Sequence, residues 1–345
     1  MSHVTCNSLH FQIIIELPFF PRMKDTTRFH YDIIADVHGR HDKLVALMAR
    51  LGYDHDGIGF VPPAGRQALF LGDLIDTKPG HELAGGVRAT LHAVKAMHGR
   101  GHALVLMGNH ELNAVCYHTR GTTTEWLRNH GEKNEAMHQG TLDDFPGHQN
   151  PASEWRTVWM PWLKRLPMFL DLGGIRAVHA CWHPEHLALL EGKTLEDDDF
   201  LHAAANKATP EGEAIEAILK GIEVPLPEPH GFHDHTGTWR TDIRARWWEA
   251  PADGIYCRDL VFPADDQIKD WPVPPAAAAM FQPYLEDAPP VFVGHYFKPA
   301  DSPLQPERHN IAVLDHSAAT GGPLVAYRWN GEQEITPQNY ITHEA

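Results

Sequence analysis

Three short polar segments, each closing an apolar run, constrain the fold of this chain more than any other feature. Asp36-Val37-His38-Gly39 follows Ile33-Ile34-Ala35. Gly72-Asp73-Leu74-Ile75-Asp76 follows Ala68-Leu69-Phe70-Leu71, and Gly108-Asn109-His110-Glu111 follows Leu104-Val105-Leu106-Met107. Asp36 and Asp73 are 37 residues apart, and Asp73 and Asn109 are 36 apart. A β-α-β unit takes about 30 residues or more. The spacing therefore predicts the tips of three successive parallel strands in one sheet. Open α/β sheets bind ligands outside the carboxyl ends of their strands.

Between the tips the apolar residues fall at helical spacing. Leu44, Leu47, Met48 and Leu51 predict a helix over 41–53; Leu83, Val87, Leu91, Val94 and Met97 predict one over 81–98, stopped by Gly99 and Gly101. Helices are expected near 124–138 and 153–165. The runs 168–172 and 175–179 flank Gly173-Gly174 and read as a hairpin. From 184 to 290 the pattern weakens, with Pro225, Pro227 and Pro229 as joints and short helices expected near 185–191, 198–206 and 211–220. This stretch reads as an insertion of helices and loops. Strands return at 291–293, 311–314 and 324–329, where they are expected to close a second sheet. Residues 1–28 read as an added arm or as a product of start choice, with Met23 the alternative start. Residues 29–345 form the main domain.

Charge and cysteines narrow the classes of function. Lys and Arg number 29 against 45 Asp and Glu, a formal charge of −16, so the chain lacks the basic excess of a nucleic-acid-coating protein and is ill suited to anionic membranes. Phe11 to Phe20 is too short to span a bilayer and is interrupted by Glu16 and Pro18. Cys6, Cys116, Cys181 and Cys257 form no Cys-x-x-Cys pair, which fits a reducing cytoplasm better than a disulfide framework or a zinc ribbon.

Carboxylates and imidazoles at strand tips suit borderline divalent metals such as Mn, Fe or Zn. A two-metal centre needs a bridging ligand, and Asp73 is the natural bridge because its strand lies between the other two in sequence. Taken with His179 and Gly294-His295, these motifs resemble the signature of the calcineurin-like metallophosphoesterases. The likeness is greatest to the branch of phosphoprotein phosphatases and symmetrical diadenosine tetraphosphatases. The resemblance implies a four-layer α/β/β/α sandwich of two mixed sheets carrying a helical and loop insertion. It implies two divalent ions, Mn2+ first, with Fe2+, Zn2+ or Ni2+ as alternatives. In that pattern Asp36 and His38 hold one ion, Asn109, His179 and His295 hold the other, and Asp73 bridges them. His110, oriented by Asp76, sits near the leaving group, and a metal-bridging hydroxide attacks phosphorus in line. Asn109 and His110 also face the substrate phosphate. The implied substrates are small phosphomonoesters, nucleotide polyphosphates or a phosphoprotein.

The chain departs from the pattern after Asp76, after His179, where Ala180-Cys181 follow, and after His295. Related phosphatases have Arg directly after Gly-Asp-x-x-Asp; here Thr77 and Lys78 follow Asp76. Lys78 or Arg40 is the expected substitute for that phosphate clamp. Thr77 also keeps a rival open, a metal-bound recognition protein with little turnover. Tyr296-Phe297 after His295 argues against the phosphodiesterase branch. Glu111 reads as a helix-start residue without chemistry. His230, His233 and His235 read as a solvated loop, Trp155, Trp159 and Trp162 as core, and Arg240, Arg244 and Arg246 as a solvated basic face, one of which is a candidate to recruit phosphate.

Overall fold

The computed structural model describes residues 30–122, 125–234, 237–249, 255–278 and 280–344. The arm expected over 1–28, the start at Met23 and His235 lie outside the described residues. Strand β1 (His30–Ile34) leads into α1 (His41–Arg50), which buries Leu44, Leu47 and Met48. A short hairpin of β2 (Asp54–His55) and β3 (Phe60–Val61) precedes β4 (Arg66–Phe70). Then come α2 (Gly86–Gly99), β5 (Ala103–Val105), α3 (Asn109–Tyr117) and α4 (Glu132–Asp144). β4 runs parallel to β1 on one side and to β5 on the other, with Phe70 opposite both Ile34 and Val105. The three motif-bearing tips stand side by side, as their spacing predicts.

Helix boundaries differ from the periodicity where distant groups intervene. α2 starts later than residue 81 because its N-terminal N–H groups are satisfied from α4. Asp144 accepts from Gly85, Val87 and Arg88 at 2.8–3.1 Å. Leu83 is left partly exposed in a loop. α4 begins only after Gly131, later than expected. Over 153–165 the chain winds as a π-helix (Trp155–Trp159) before α5 (Met160–Leu163). Pro161 has no N–H to give Thr157, so the regular ladder fails there.

β6 (Phe169–Asp171) and β7 (Arg176–Val178) form the expected hairpin. The stretch 184–290 holds α6 (Pro184–Leu190), α7 (Asp198–Ala204) and α8 (Pro210–Lys220). Next come β8 (Glu223–Pro225), the hairpin of β9 (Phe232–His233) and β10 (Trp239–Arg240), and β11 (Asp242–Arg244), which pairs with β8. Short α9 (Cys257–Leu260) and α10 (Pro275–Ala278) follow. The chain closes with β12 (Val291–Val293), β13 (Ile311–Val313), β14 (Val325–Trp329) and β15 (Tyr340–Thr342).

Two mixed sheets result, ordered β15-β14-β1-β4-β5 and β13-β12-β7-β6. One expectation is corrected here. β14 does not join β12 and β13 in the second sheet; it pairs antiparallel with β1, Ile34 opposite Ala326. β4 covers only one edge of β1, and the other edge needs a partner of its own. Tyr31, Ile33, Leu69 and Leu71 from the first sheet form one apolar cluster with Ala177, Phe292, Ala312 and Leu314 around the second. The alternate residues Ile34, Phe70, Val178 and Val293 join the helices in a second cluster. This two-residue alternation makes the chain an α/β/β/α sandwich. Trp155, Trp159 and Trp162 are core, as read from their spacing. Among the described residues no helix is long and apolar enough to cross a membrane.

Candidate metal centre

The strand tips converge on Asp73. Its Oδ1 accepts the His110 backbone N–H at 2.9 Å. Its Oδ2 lies 3.4 Å from His179 Nε2, 3.7 Å from His38 Nε2 and 4.0 Å from His110 Nε2. Asp36 Oδ1 lies 4.0 Å from His179 Nε2, and the carboxylate accepts the His295 N–H at 3.0 and 3.2 Å. Asn109 Oδ1 is 3.0 Å from His179 Nε2. All of these side chains are buried or nearly so. Seven residues spread from 36 to 295 in sequence thus meet in one place. Asp36 comes from the β1 tip, Asp73 from the β4 tip, Asn109 from the start of α3, His179 from the β7 tip and His295 from the β12 tip.

The local backbone is built for this meeting. Among the described residues five non-glycine positions have positive φ, and four are His38, Asp73, Asp76 and His295. Such strain clusters at sites where surrounding structure over-determines it. Gly294 precedes His295 because the Asp36 carboxylate fills the space a side chain would take: a Cβ there would stand 2.2 Å from Asp36 Oδ2. Glu111 does more than start a helix. Its buried carboxylate accepts the N–H groups of Asp73, Leu74 and Gly108 at 2.8–2.9 Å and so ties two motif loops together. Burial and the Asp73 charge push it up to about 7.

The donor set fits a divalent cation. His179 Nδ1 lies 2.8 Å from the Leu71 carbonyl, and His38 Nδ1 3.0 and 3.1 Å from the carbonyls of Ile75 and Asp76. An Nδ1–H donated to a carbonyl leaves Nε2 as a lone pair facing the cluster, the usual arrangement of a metal-ligating imidazole. His295 Nε2 is buried without a partner, an atom for which a cation supplies the missing contact. Asp73, His38 and His110 offer atoms within 4.8 Å of one another, and so do Asp73, His179 and His295. Asp73 belongs to both groups.

The electrostatics point the same way. Burial and the Asp315 carboxyl push Asp36 well above the usual carboxylate range. Burial acts to raise Asp73 too, but His179 and His110 outweigh it and hold it well below. Burial would lower His179, yet Asp73 and Asp36 drive it up to about 10, so this point in the cluster demands positive charge. Burial and His110 press His38 down to about 3, and burial and Arg244 press His295 well below the usual range. Neutral imidazoles of this kind are ready ligands.

Beside the cluster, His110 Nδ1 contacts Asp76 Oδ2 at 2.7 Å, and the two rings of His38 and His110 meet edge to face at 4.9 Å. Burial acts to raise Asp76, but His138 and His110 hold it well below the carboxylate range. Lys78 is half-buried and close enough to weigh on both His38 and Asp315. Arg40 forks onto Asp42 at 2.7 and 3.0 Å instead. An open cleft of about 410 Å³ borders Thr77, but its walls carry Glu82, Glu132, Glu135 and Asp143, a sign that repels phosphate.

Sequence reasoning missed Asp315, His138 and Thr141, and read Arg244 as part of a solvated basic face. Asp315 follows β13 as Asp36 follows β1, an apolar strand ending in Asp, and that signal was readable; burial lifts its carboxyl to about 6. His138 and Thr141, at helical spacing on α4, both reach Asp76. Arg244 is not a solvated residue: its Nη1 donates to the His295 carbonyl at 3.1 Å, and its Nε is buried without a partner. Arg240, by contrast, pairs with Asp234 on the outer hairpin.

The family model for calcineurin-like phosphoesterase matches residues 29–208. A bis(5'-nucleosyl)-tetraphosphatase PrpE [asymmetrical] of Halalkalibacterium halodurans is 40% identical over 80 residues, 23% of this chain and 30% of that protein. The protein of the same description from Bacillus subtilis is 45% identical over 49 residues, 14% of this chain and 20% of that one. The chain thus spans under a third of the length of these curated relatives. Among solved structures, a protein serine/threonine phosphatase from Saccharomyces cerevisiae superposes with a TM-score of 0.45 at 12% identity, over 92% of this chain and 80% of that one.

Proposed function

The chain belongs to the calcineurin-like phosphoesterase family, and from that premise we propose that it hydrolyses phosphate esters with two divalent metal ions. The observation that carries the reading is the shared position of Asp73 in both His/Asp groups. Asp36 and His38 are the ligands proposed for one ion, Asn109, His179 and His295 for the other, with Asp73 common to both. Ions so held neutralise phosphate oxygens and lower the pKa of water toward neutrality. Mn2+ is the first candidate, and Fe2+, Zn2+ or Ni2+ suit the same donors.

The chain's own residues have distinct tasks in this reading. Asp76 accepts the His110 Nδ1–H and so turns Nε2 toward the cluster; in its doubly protonated form the ring would give the Nε2 proton to the leaving oxygen and keep the Nδ1 proton. Asn109 and His110 border the substrate phosphate. Lys78 and Arg244 supply the positive charge that Arg at position 77 supplies in related phosphatases. Arg244 lies in the 184–290 stretch, which supports that stretch as the part shaping the substrate pocket of the 29–345 domain. Arg40 takes part only if it leaves Asp42. The substrate class is a phosphomonoester or a nucleotide polyphosphate; the tetraphosphatase relatives support the latter. Cys116, Cys181 and Cys257 are free and buried, which supports a reducing, cytoplasmic setting.

The test is Mn2+-dependent hydrolysis of an aryl monoester, an aryl diester, diadenosine tetraphosphate and a phosphopeptide, read as released phenol for the two aryl esters, as mononucleotide products for the tetraphosphate and as inorganic phosphate for the phosphopeptide. Asp73→Asn should remove most metal-dependent turnover. Protein that binds Mn2+ yet hydrolyses none of the four favours the rival reading, a metal-bound recognition protein.

A further inference from the structure

Helix α4 carries side chains that the proposed reaction leaves without a task, and they converge on one carboxylate. Asp76 Oδ2 faces His110 Nδ1 at 2.7 Å. Its Oδ1 faces His138 Nδ1 at 2.7 Å and accepts the Thr141 hydroxyl at 2.6 Å. Thr141 Oγ1 in turn accepts the Asp76 backbone N–H at 3.1 Å. Asp76, His110, His138 and Thr141 are all at least 95% buried. The helix comes this close because residue 140 is glycine: a Cβ there would stand 2.0 Å from Thr77 Oγ1. Thr77 is the position where related phosphatases carry Arg, so α4 occupies ground on which a long side chain would not fit.

Behind His138 stands a second imidazole. His118 Nε2 is 3.1 Å from His138 Nε2, and His118 is enclosed by the rings of His148 and Trp155 at 5.2 and 5.3 Å. A hydrogen bond between the two nitrogens needs one proton. If His138 gives only its Nδ1–H, to Asp76, that proton is supplied by His118. His118 then orients the ring of His138, as Asp76 orients that of His110. The order His118, His138, Asp76, His110 is a buried line of polar groups that ends at the cluster.

We propose that His138 is a positioning residue for hydrolysis, holding Asp76 in the one orientation that aims His110 Nε2 at the leaving oxygen. A carboxylate bonded through a single oxygen can turn about its Cβ–Cγ axis. One bonded through both oxygens to three donors cannot, and His110 inherits that rigidity. This rests on the reading of His110 as the group beside the leaving oxygen.

The experiment uses the full-length Mn2+-loaded protein and two esters, 4-nitrophenyl phosphate and phenyl phosphate, which differ in how much the departing oxygen needs a proton. His138→Leu removes the donor to Asp76. His138→Asn keeps an N–H at the Nδ1 position and loses only the His118 contact. His138→Leu should lower kcat on phenyl phosphate about 10–100-fold, the usual cost of losing such a supporting partner. The loss on 4-nitrophenyl phosphate should be several-fold smaller, with KM and bound Mn2+ unchanged. His138→Asn should restore most of the phenyl phosphate rate. Wild-type kcat in His138→Leu on phenyl phosphate overturns the inference. So does an equal loss on both esters, or a His138→Asn protein as slow as His138→Leu. His110→Asn separates the two levels: if it too leaves phenyl phosphate turnover intact, the reading of His110 fails first, and this inference with it. If only His110→Asn is slow, the role of His138 alone is refuted.

Discussion

Replacing Gly140 by Ala probes how tightly α4 is seated on the loop that carries Asp73 and Asp76. A Cβ at 140 would lie 2.0 Å from Thr77 Oγ1 and 3.3 Å from Thr77 Cβ, and Thr77 is 5% exposed. In an unobstructed helix Ala is favoured over Gly by about 1 kcal/mol. Forcing a methyl group into a filled contact costs about 1–3 kcal/mol. The single substitution should therefore destabilise the protein by up to about 2 kcal/mol. Thr77→Ala removes the hydroxyl that stands nearest and leaves the Cβ at 3.3 Å, and in that background Gly140→Ala should stabilise by as much as about 1 kcal/mol. The coupling between the two sites is then about 1–3 kcal/mol, above the roughly 0.5 kcal/mol scatter of independent sites. Urea unfolding of the four proteins at one fixed Mn2+ concentration measures it. Turnover should follow the same pattern, since lifting α4 withdraws His138 and Thr141 from Asp76. A coupling below about 0.5 kcal/mol would refute the seating argument.

Three further outcomes are expected. Asp32 is fully buried and bonds Arg66, Arg328 and Tyr53, so Asp32→Ala strands two guanidinium groups and should cost about 3–5 kcal/mol in urea unfolding. His316 is buried with both ring nitrogens unpartnered, and burial and Lys298 lower it from 6.5 to about 4. Its folded pKa lies below its unfolded one, so the unfolded chain takes the proton first; stability should fall from pH 6.5 to 4 by about 1.4 kcal/mol per unit, and His316→Phe should flatten that slope. Arg244→Gln should raise KM for an aryl phosphate about 10-fold or more, with kcat less affected, as expected for a lost charge-assisted contact to phosphate; an unchanged KM argues against that contact.

Much of this architecture was legible because it rests on local rules. The β-α-β spacing of Asp36, Asp73 and Asn109 placed three tips together, and the Gly-Gly hairpin formed where it was expected. The parts that were not legible depend on partners remote in sequence. α2 begins where Asp144 of α4 can reach its N–H groups. β14 left the second sheet because β1 had a free edge. Arg244 looked like one of three surface arginines until β11 brought it to the backbone of His295.

The order of residues alone determined the types of the candidate metal ligands and their placement at strand ends, because hydrophobic alternation and turn chemistry act within a few residues. Which groups surround those ligands was decided only in three dimensions. Asp315 acts through its charge on Asp36, and Arg244, His138 and Glu111 through hydrogen bonds to residues at least 38 positions away; no short-range pattern encodes such pairings.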